Sequence, residues 1–424
     1  MKKSLMIFFV WMFGWMGLAW AESAPGGAKT LRLQWVIDET LKNNPNIQVF
    51  LNRWEASQEA VTRAKSLDDP MVNFHTWNVE SPARVTPDWN RAERRGVVSQ
   101  KVPFPGKLRL RGKIAEGDAN IAKKDWEQQV LEMLARVKGA YYQLRHLYNV
   151  IDINKEVKDL LERFAAIAET RYKVGRAPQR DVLATQVEIA RIIRDIEVLE
   201  RDKKALETRI NTILNRDPEA PLGRPEDYSI YPLSLDLVEL EEVAMKQRPE
   251  LQKFGFAIKR DKSALDLAKK DLYFPDPEFE VMYMQTDTMA DMWSSKIAFN
   301  VPWLWSKNRA RVREAKGTLR AAEAEYLAAK NAVLFEVKDT WTKTINARST
   351  TRIYSDSVIP LAEQSLKAAL VEYETEKIDF LTLLDSERTL LSARIQYHMA
   401  AVEFEAGLAE LERAVGMSLT PEQK

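Results

Sequence analysis

The chain is an internal duplication, because segments of its first half recur in the same order about 200 residues later. VPFPGKLRLR at 102–111 has its counterpart in VPWLWSKNRARVR at 301–313. TRYKVGRAPQRDVL at 170–183 corresponds to VEYETEKIDFLTLL at 371–384. Any fold for this chain must therefore contain the same set of elements twice.

The joint between the two copies lies where prolines and a glycine gather. RDPEAPLGRPEDYSIYP occupies 216–232, between two segments with helical periodicity. We therefore predict a first structural repeat at 22–216, a linker at 217–232, a second repeat at 233–418 and a short tail at 419–424.

The N-terminus has the composition of a secretory signal. Lys2 and Lys3 precede an apolar run at 5–18, and an Ala-Trp-Ala cleavage pattern ends at Ala21. We predict a signal peptide at 1–21, cut after Ala21. An uncleaved anchor is the alternative, because the apolar run is nearly long enough to span a bilayer. In both cases the chain is exported, and we expect a Gram-negative source.

Composition argues against several classes of function. The 63 basic and 62 acidic residues nearly cancel, so nothing favours a nucleic-acid partner. Without cysteine there is no disulfide framework, no thiol nucleophile and no N-terminal Cys for lipidation. The sequence has no phosphate loop, zinc-protease motif or nucleophile elbow. We predict that the protein is not an enzyme and uses no cofactor.

Each repeat reads as a mainly helical unit with one pair of strands. A helix of about 20 residues leads into a strand hairpin, and a long helical hairpin follows. These elements are predicted at 45–66, about 70–103 and about 106–215 in the first repeat, and at 249–270, about 277–303 and about 306–416 in the second.

The outgoing helices are much longer than those of ordinary globular proteins. Helical periodicity runs over 107–173 and 307–376, with weaker places at 149–154 and at Pro360. A helix of this length extends for about 100 Å. The returning helices keep apolar residues at spacings of three and four, which indicates coiled-coil packing between long antiparallel helices.

The strand segments have one apolar and one polar face. Phe279 and Val281 alternate with Glu280 and Met282, as a strand between lipid and a water-filled lumen requires. A half-buried hairpin of a soluble protein is the alternative. Four strands cannot close a barrel, and an open edge is not tolerated in lipid. Several chains must then share one barrel, and three copies would supply twelve strands.

Two motifs carry a resemblance to a known family. VSQKVPFPGKLRLRG at 98–112 resembles the strand-to-helix corner of the TolC-type outer-membrane efflux factors, and YKVGRAPQRDVLATQ at 172–186 resembles their tip motif. The resemblance implies a mainly α fold with a small β part. It consists of a long antiparallel α-helical coiled-coil barrel plus four transmembrane β-strands per chain, and a trimer completes a twelve-stranded β-barrel.

The same resemblance implies a function and partners. The expected homotrimer is an exit duct, with its barrel in outer-membrane lipid and its helices in the periplasm. It would receive substrates from an inner-membrane pump through a periplasmic adaptor. The alternative is a soluble periplasmic coiled-coil adaptor or scaffold. An adaptor normally carries one helical hairpin, whereas this chain carries two and very few strands.

The corner between strand and helix is the first candidate site. Proline ends strand pairing without needing a donor, and a neighbouring aromatic suits the boundary of a bilayer. The corner residues are Pro103, Phe104, Pro105, Gly106, Lys107, Pro302, Trp303, Trp305 and Lys307. The basic residues at the start of the two long helices are Lys107, Arg109, Arg111, Lys307, Arg309 and Arg311. We expect them to face lipid headgroups or water. A basic first helical turn that is simply solvated accounts for these charges nearly as well.

The turns between outgoing and returning helices are the second candidate site. Gly175 suits a left-handed helix end and Pro178 the start of the returning helix, whereas the second turn lacks the glycine. The residues predicted to contact an adaptor are Val174, Gly175, Arg176, Ala177 and Pro178 in the first tip, and Glu376 and Lys377 in the second.

The resemblance further implies an acidic aperture near the tips. Asp385 matches one family acid, Thr382 stands where the family has another, and Asp181 is the equivalent position in the first repeat. Asp379 is a further candidate. A ring of carboxylates repels itself and attracts cations, so it can be biased open. Capping of the returning helices is the alternative role for these acids.

Methionines in and near the second strand pair give an indication of which substrates the duct could carry. MYMQTDTMADM at 282–292 contains four of them, and Met282 and Met284 are expected to face the lumen. Thioethers suit Cu(I) and Ag(I), although methionine also fills irregular surfaces. Because a duct has little reason to bind its cargo tightly, we predict no resident metal site.

Overall fold

The computed structural model describes residues 30–77, 93–226, 236–285, 290–300 and 305–419. The signal segment and the last part of the predicted linker, 227–232, lie outside these residues. The first repeat contains the elements β1 (Thr30–Leu31), α1 (Leu33–Asn43), α2 (Pro45–Lys65), β2 (Met71–Trp77), β3 (Glu93–Lys101), α3 (Lys107–Lys173) and α4 (Gln179–Ile213).

The second repeat follows the same order. A two-residue strand precedes it and pairs with β1. The elements are β4 (Arg224–Pro225), α5 (Leu237–Gln247), α6 (Pro249–Tyr273), β5 (Pro277–Gln285), β6 (Met292–Phe299), α7 (Trp305–Ile353), α8 (Ile359–Glu374) and α9 (Phe380–Val415). No helix in the described part of the chain combines the length and the apolarity needed to cross a membrane.

The two outgoing helices differ at the places where the sequence suggested weakness. Helix α3 runs unbroken for 67 residues, because Val150, Ile151 and Ile153 are buried and hold 149–154 in place. The second outgoing helix is interrupted at its predicted weak place, where the α-helix gives way to a π-helical turn at Tyr354–Val358 just before Pro360. A π-helical turn adds a residue to the helix, and proline lacks the donor that would continue the ladder.

A short helix that the sequence analysis missed opens each repeat. Helices α1 and α5 have 11 residues each, and in both cases a single residue separates the helix from the proline that starts the next helix. The side chain of the residue before that proline hydrogen-bonds to the last turn of the returning helix, and so connects the beginning of the repeat with its end. Asn44 donates from Nδ2 to the Ile213 carbonyl at 2.8 Å, and Arg248 donates from Nη1 to the Ala414 carbonyl at 2.9 Å.

Four strands form one antiparallel sheet in the order β2-β3-β5-β6. The register places Val72 opposite Val98, and Val98 in turn opposite Val281. Each pair of strands belongs to one repeat, so the contact between β3 and β5 joins the two repeats. Strands β2 and β6 are the edges of this sheet.

The helices bury their apolar stripes in three clusters. Equivalent cores surround Val137 in the first repeat and Val337 in the second. A third core lies at the tip end, where Phe164 of α3, Ile192 of α4 and Phe380 of α9 come together. Because α3 contributes to two of these cores and packs on both repeats, it is the main contact between the halves.

Candidate functional site

One face of the sheet is apolar although none of the residues that the structure describes covers it. Phe74 is 85% exposed and Trp293 is 73% exposed. The exposed apolar side chains of the strands on this face are Val72, Phe74, Val98, Phe279, Val281, Trp293, Ile297 and Phe299. A contiguous exposed apolar surface of this kind is typical of a membrane or interaction surface.

The opposite face is largely polar. Glu280 lies across from Lys296 in the register, and their charged groups are 3.4 Å apart. Met282 and Met284 lie on this face, as their alternation predicted, and Met292 is directly opposite Met284. The apolar-polar alternation predicted for β5 is therefore present across the sheet.

The first corner is a buried ion cluster, which corrects the expectation for Lys107. Its side chain is 3% exposed, and Nζ lies 2.7 Å from Asp276 Oδ1 and 2.9 Å from Asp271 Oδ1. Asp276 also accepts from the Phe104 backbone N–H at 2.9 Å. Burial opposes ionisation of Asp276, but Lys107, the Phe104 N–H and Arg111 outweigh it and lower its pKa.

This cluster connects the two repeats, since Asp271 and Asp276 precede β5 while Lys107 follows β3. The Phe104 ring stacks on Phe274 with centroids 4.4 Å apart. Gly106 adopts a left-handed conformation with φ of 88°, which lets the chain turn sharply from strand into helix. Lys107 thus faces protein rather than headgroups.

The second corner is more open in the single chain. Trp305 and Lys307 are exposed, while Pro302 and Trp303 lie outside the described residues. Arg309 is exposed, and Arg311 extends to Asp271 at 3.6 Å. In the first repeat Arg109 is exposed, and Arg111 lies 3.8 Å from Asp276.

The two tips have the same backbone geometry despite their different sequences. Gly175 has φ of 73°, as its predicted role requires, and Glu376 occupies the same left-handed position with φ of 61°. A helix-closing hydrogen bond follows in both tips, from Arg176 N to Arg171 O and from Lys377 N to Glu372 O, each at 2.8 Å. The surrounding tip residues Val174, Arg176, Pro178, Glu376 and Lys377 are exposed, and Ala177 is half-buried.

The second tip is attached to the first by Arg171, a residue that the sequence analysis missed. Its guanidinium donates to the carbonyls of Tyr373 at 2.8 Å and Glu374 at 2.6 Å. It also lies over the Tyr373 ring, 4.6 Å from the centroid. A cation at the last carbonyls of a helix is stabilising, because it offsets the partial negative charge at the C-terminal end of the helix dipole. Arg171 therefore holds the end of α8 against α3.

The four aperture candidates occupy different environments. Asp379 caps α9, accepting from the Thr382 N–H at 3.0 Å and from its hydroxyl at 2.6 Å, and these bonds lower the pKa of Asp379. Asp181 is 5% exposed. Burial raises its pKa, and Asp379 adds to this while Arg180 opposes it. Thr382 and Asp385 are exposed.

A buried carboxyl two residues after the aperture candidate Asp385 was also missed. Glu387 on α9 is 3% exposed and borders a groove of 280 Å³ that Arg163 and Arg394 also line. Burial, with a smaller contribution from nearby Glu188 and against the opposing effect of Arg388, raises the pKa of Glu387 to about 7. A glutamate on an amphipathic helix gives no sequence signal of such burial.

We expect the stability of the tip to depend on pH through Glu387. Its pKa is above that of an unfolded glutamate, so the folded protein holds the extra proton and loses stability as pH rises from about 4.5 to about 7. Glu387→Gln should remove this loss, about 2–3 kcal/mol at pH 8 and little at pH 5. Thermal unfolding by circular dichroism at both pH values measures it.

The matched control is Glu403→Gln, an exposed glutamate on the same helix. It should leave the pH dependence of the melting temperature as it is in the unaltered chain. Equal pH dependence in the Glu387→Gln variant and the unaltered protein would show that Glu387 is charged in the folded state.

The comparisons with known proteins agree with this architecture. A model of the outer membrane efflux protein family matches residues 36–216 and 241–417. The chain is 20% identical over 374 residues to the cobalt-zinc-cadmium resistance protein CzcC of Cupriavidus metallidurans, which covers 87% of this chain and 86% of CzcC.

Solved structures show the same fold. The outer membrane protein VceC of Vibrio cholerae has a TM-score of 0.78 and 17% identity, covering 92% of this chain and 97% of VceC. The open state of the Neisseria gonorrhoeae MtrE outer membrane channel has a TM-score of 0.76 and 19% identity, covering 93% and 91%. The soluble-scaffold alternative is thereby wrong. The chain belongs to the outer membrane efflux protein family, whose members are efflux channels of the outer membrane.

Proposed function

We propose that three copies of this chain form one exit duct through the outer membrane and periplasm. The observation that carries the proposal is the open sheet, which has one exposed apolar face and two edges. Unpaired edge groups are costly in lipid, so the sheet must be closed by other copies. Helix α3, and helix α7 together with α8, then continue the wall for about 100 Å from the barrel.

The proposed partners meet the duct at its tips. The exposed residues at 174–178, with Glu376 and Lys377, would contact a periplasmic adaptor that is bound to an inner-membrane pump. Asp385, with Asp379 close to it in sequence and Asp181 in the equivalent part of the first repeat, would set the charge of the aperture. Breaking the Arg171 contact to the end of α8 is the step by which an adaptor could release the second tip.

The proposed location is the outer membrane, reached by export. The basic and apolar segment with its Ala-Trp-Ala pattern ending at Ala21 supports export and cleavage. The proposal contains no catalytic step.

We propose heavy-metal cations as the cargo class. The support is the name of the relative CzcC together with the thioethers of Met282, Met284 and Met292 on the polar face of the sheet. Thioethers favour soft cations, so metals would make passing contacts in the lumen rather than occupy a resident site.

A deletion strain tests the function and the cargo together. Loss of the gene should increase sensitivity to cobalt, zinc, cadmium, silver or copper salts, and the unaltered gene should restore growth. A gene lacking the tip residues 174–178 should be expressed and yet fail to restore it. Sensitivity to organic drugs alone would contradict the cargo, and no change with any toxic compound would contradict the efflux role.

A further inference from the structure

In the first repeat an extended segment of the chain packs on the outgoing helix α3. Arg224 of the short strand β4 donates to Asp152 Oδ2 at 2.6 Å and to Asn149 Oδ1 at 3.3 Å. Its guanidinium also lies 5.6 Å from the centroid of the Tyr148 ring. One face of α3 therefore holds an extended segment through the charged side chain that the segment carries.

The buried positions of the two outgoing helices identify the equivalent face of α7. Three α3 residues at heptad spacing and the three α7 residues 200 positions later are all at most 3% exposed: Val137, Leu144, Ile151, Val337, Thr344 and Thr351. This offset makes Arg348 the counterpart of Tyr148, and Arg352 the counterpart of Asp152. Where the first repeat has an acid that binds Arg224, the second repeat therefore has an arginine.

A groove of 410 Å³ between α7 and α9 lies along this face. Phe404, which is 2% exposed, and the half-buried Ile345 supply its apolar part. Arg348, Ser349 and Arg352 also line the groove, and all three are exposed. The part of the chain that the structure describes does not cover these side chains in the way that β4 covers α3, so the groove is open to a ligand.

The charge of the groove indicates what kind of ligand fits. Arg352 pairs with Asp356 at 3.3 Å, one turn later on the same helix, and both side chains are mostly exposed, so this pair is weak. Among the residues that the structure describes, Arg348 has no acidic partner. The hydroxyls of Ser349 and Tyr397 can donate to a carboxylate as well. The groove is therefore suited to an acidic ligand.

The helix changes its geometry directly beside the groove. The π-helical turn Tyr354–Val358 begins two residues after Arg352 and includes Ser355, which lines the groove. Helix α3 runs unbroken through the equivalent place. Because π-helical turns are frequent at functional sites, this difference between the repeats indicates a role for the groove beyond coiled-coil packing.

We propose that this groove docks an extended acidic segment of a periplasmic partner protein. The contact repeats the one between α3 and β4 with the charges reversed. A carboxylate of the partner takes the place of the Arg224 guanidinium and accepts from Arg348 and Arg352, while the apolar part of the groove receives a neighbouring side chain.

The position of the groove on α7 agrees with a periplasmic partner. Trp341 precedes the groove on the same side of α7, since 341, 345, 348 and 352 follow one another at helical spacings of four and three. Trp341 packs against the core that contains Leu240 of α5. In the proposed duct this side faces the periplasm, because α5 inside the lumen would obstruct the passage. Only the location of the partner rests on the proposed duct.

Two synthetic peptides test the groove, because the segment at 219–226 supplies a template. One peptide has its sequence, EAPLGRPE, and the other, EAPLGEPE, has glutamate in place of Arg224. Binding of each labelled peptide to the detergent-extracted full-length protein is measured by fluorescence anisotropy. We expect the acidic peptide to bind at least about tenfold more tightly than the arginine peptide, since charge-assisted hydrogen bonds to guanidinium groups are strong.

A double variant gives the groove the residues of the first repeat. Arg348→Tyr with Arg352→Asp should reverse the preference, so that the arginine peptide binds at least about tenfold more tightly than the acidic one. The matched control is Arg320→Glu, which changes an exposed arginine earlier on the same helix. It alters the charge of α7 outside the groove and should leave the preference for the acidic peptide as it is.

Equal binding of the two peptides, or an unchanged preference in the double variant, would overturn the acidic site. Binding of the acidic peptide only after removal of 420–424 would make the tail of this chain the occupant, and would overturn docking of a partner. Absence of saturable binding to the extracted protein would overturn it as well. These results are independent of the mass of the extracted protein, so failure of the docking site and failure of the duct are distinguishable.

Discussion

Replacing Lys107 by methionine should destabilise the protein by about 3–5 kcal/mol, because it removes the cation that lies within 3 Å of two carboxylates while leaving them in place. Asp276 is nearly buried and keeps its charge at neutral pH, since its pKa is lowered in the unaltered protein. Without Lys107 that charge loses its closest partner. Thermal unfolding in detergent, followed by circular dichroism, measures the loss.

The deficit of this variant should shrink as the pH falls through the usual range of an aspartate, because protonation of Asp276 removes the unbalanced charge. Arg109→Met is the matched control. Arg109 lies two residues later on the same helix but is exposed, so its replacement should change stability by less than about 0.5 kcal/mol. Equal effects of the two variants would contradict a buried cluster at the corner.

Replacing Arg248 by alanine should cost about 2–3 kcal/mol and should loosen the end of the second repeat. Arg248 is 7% exposed. Its guanidinium donates a hydrogen bond to the Ala414 carbonyl and forms ion pairs with Glu250 and Glu336. Burial alone would raise the pKa of Glu336, but the charges of Arg248 and Arg413 outweigh burial, and the pKa is lowered. Removing Arg248 leaves Glu336 with Arg413. Hydrogen exchange of the last turn of α9 should accelerate.

Lys246→Ala is the control for this second variant. Lys246 is exposed and pairs with Glu242 one turn away on the same short helix, an arrangement that contributes only a few tenths of a kcal/mol. Its loss should leave hydrogen exchange near 415 unchanged. Protection of that turn in the Arg248→Ala variant equal to that in the unaltered protein would show that Arg248 does not hold the repeat closed.

Periodicity located the long elements well because their patterns are local and sustained. Helix α3 occupies Lys107–Lys173, the bounds that its apolar spacing and the glycine-containing turn predict. The alternation in β5 placed Met282 on the polar face for the same reason. The short helices α1 and α5 were missed, since 11 residues give little more than three turns of pattern.

Individual charged residues could not be placed from the sequence in this way. Lys107 reads as one of several basic residues at a helix start, and its partner Asp276 lies 169 positions later, so no local pattern indicates its burial. Arg171, Arg248 and Glu387 are similar cases. Glu376 shows the converse, because the shared turn geometry of the two repeats holds a glutamate in the left-handed conformation that Gly175 adopts freely.

The mass of the detergent-extracted protein tests the shared duct most directly. Cells expressing the full chain are fractionated, and the membrane species is measured by native mass spectrometry. The proposed assembly predicts an outer-membrane species with three times the mass of one mature chain. A soluble periplasmic protein, or an extracted species with the mass of a single chain, would contradict it.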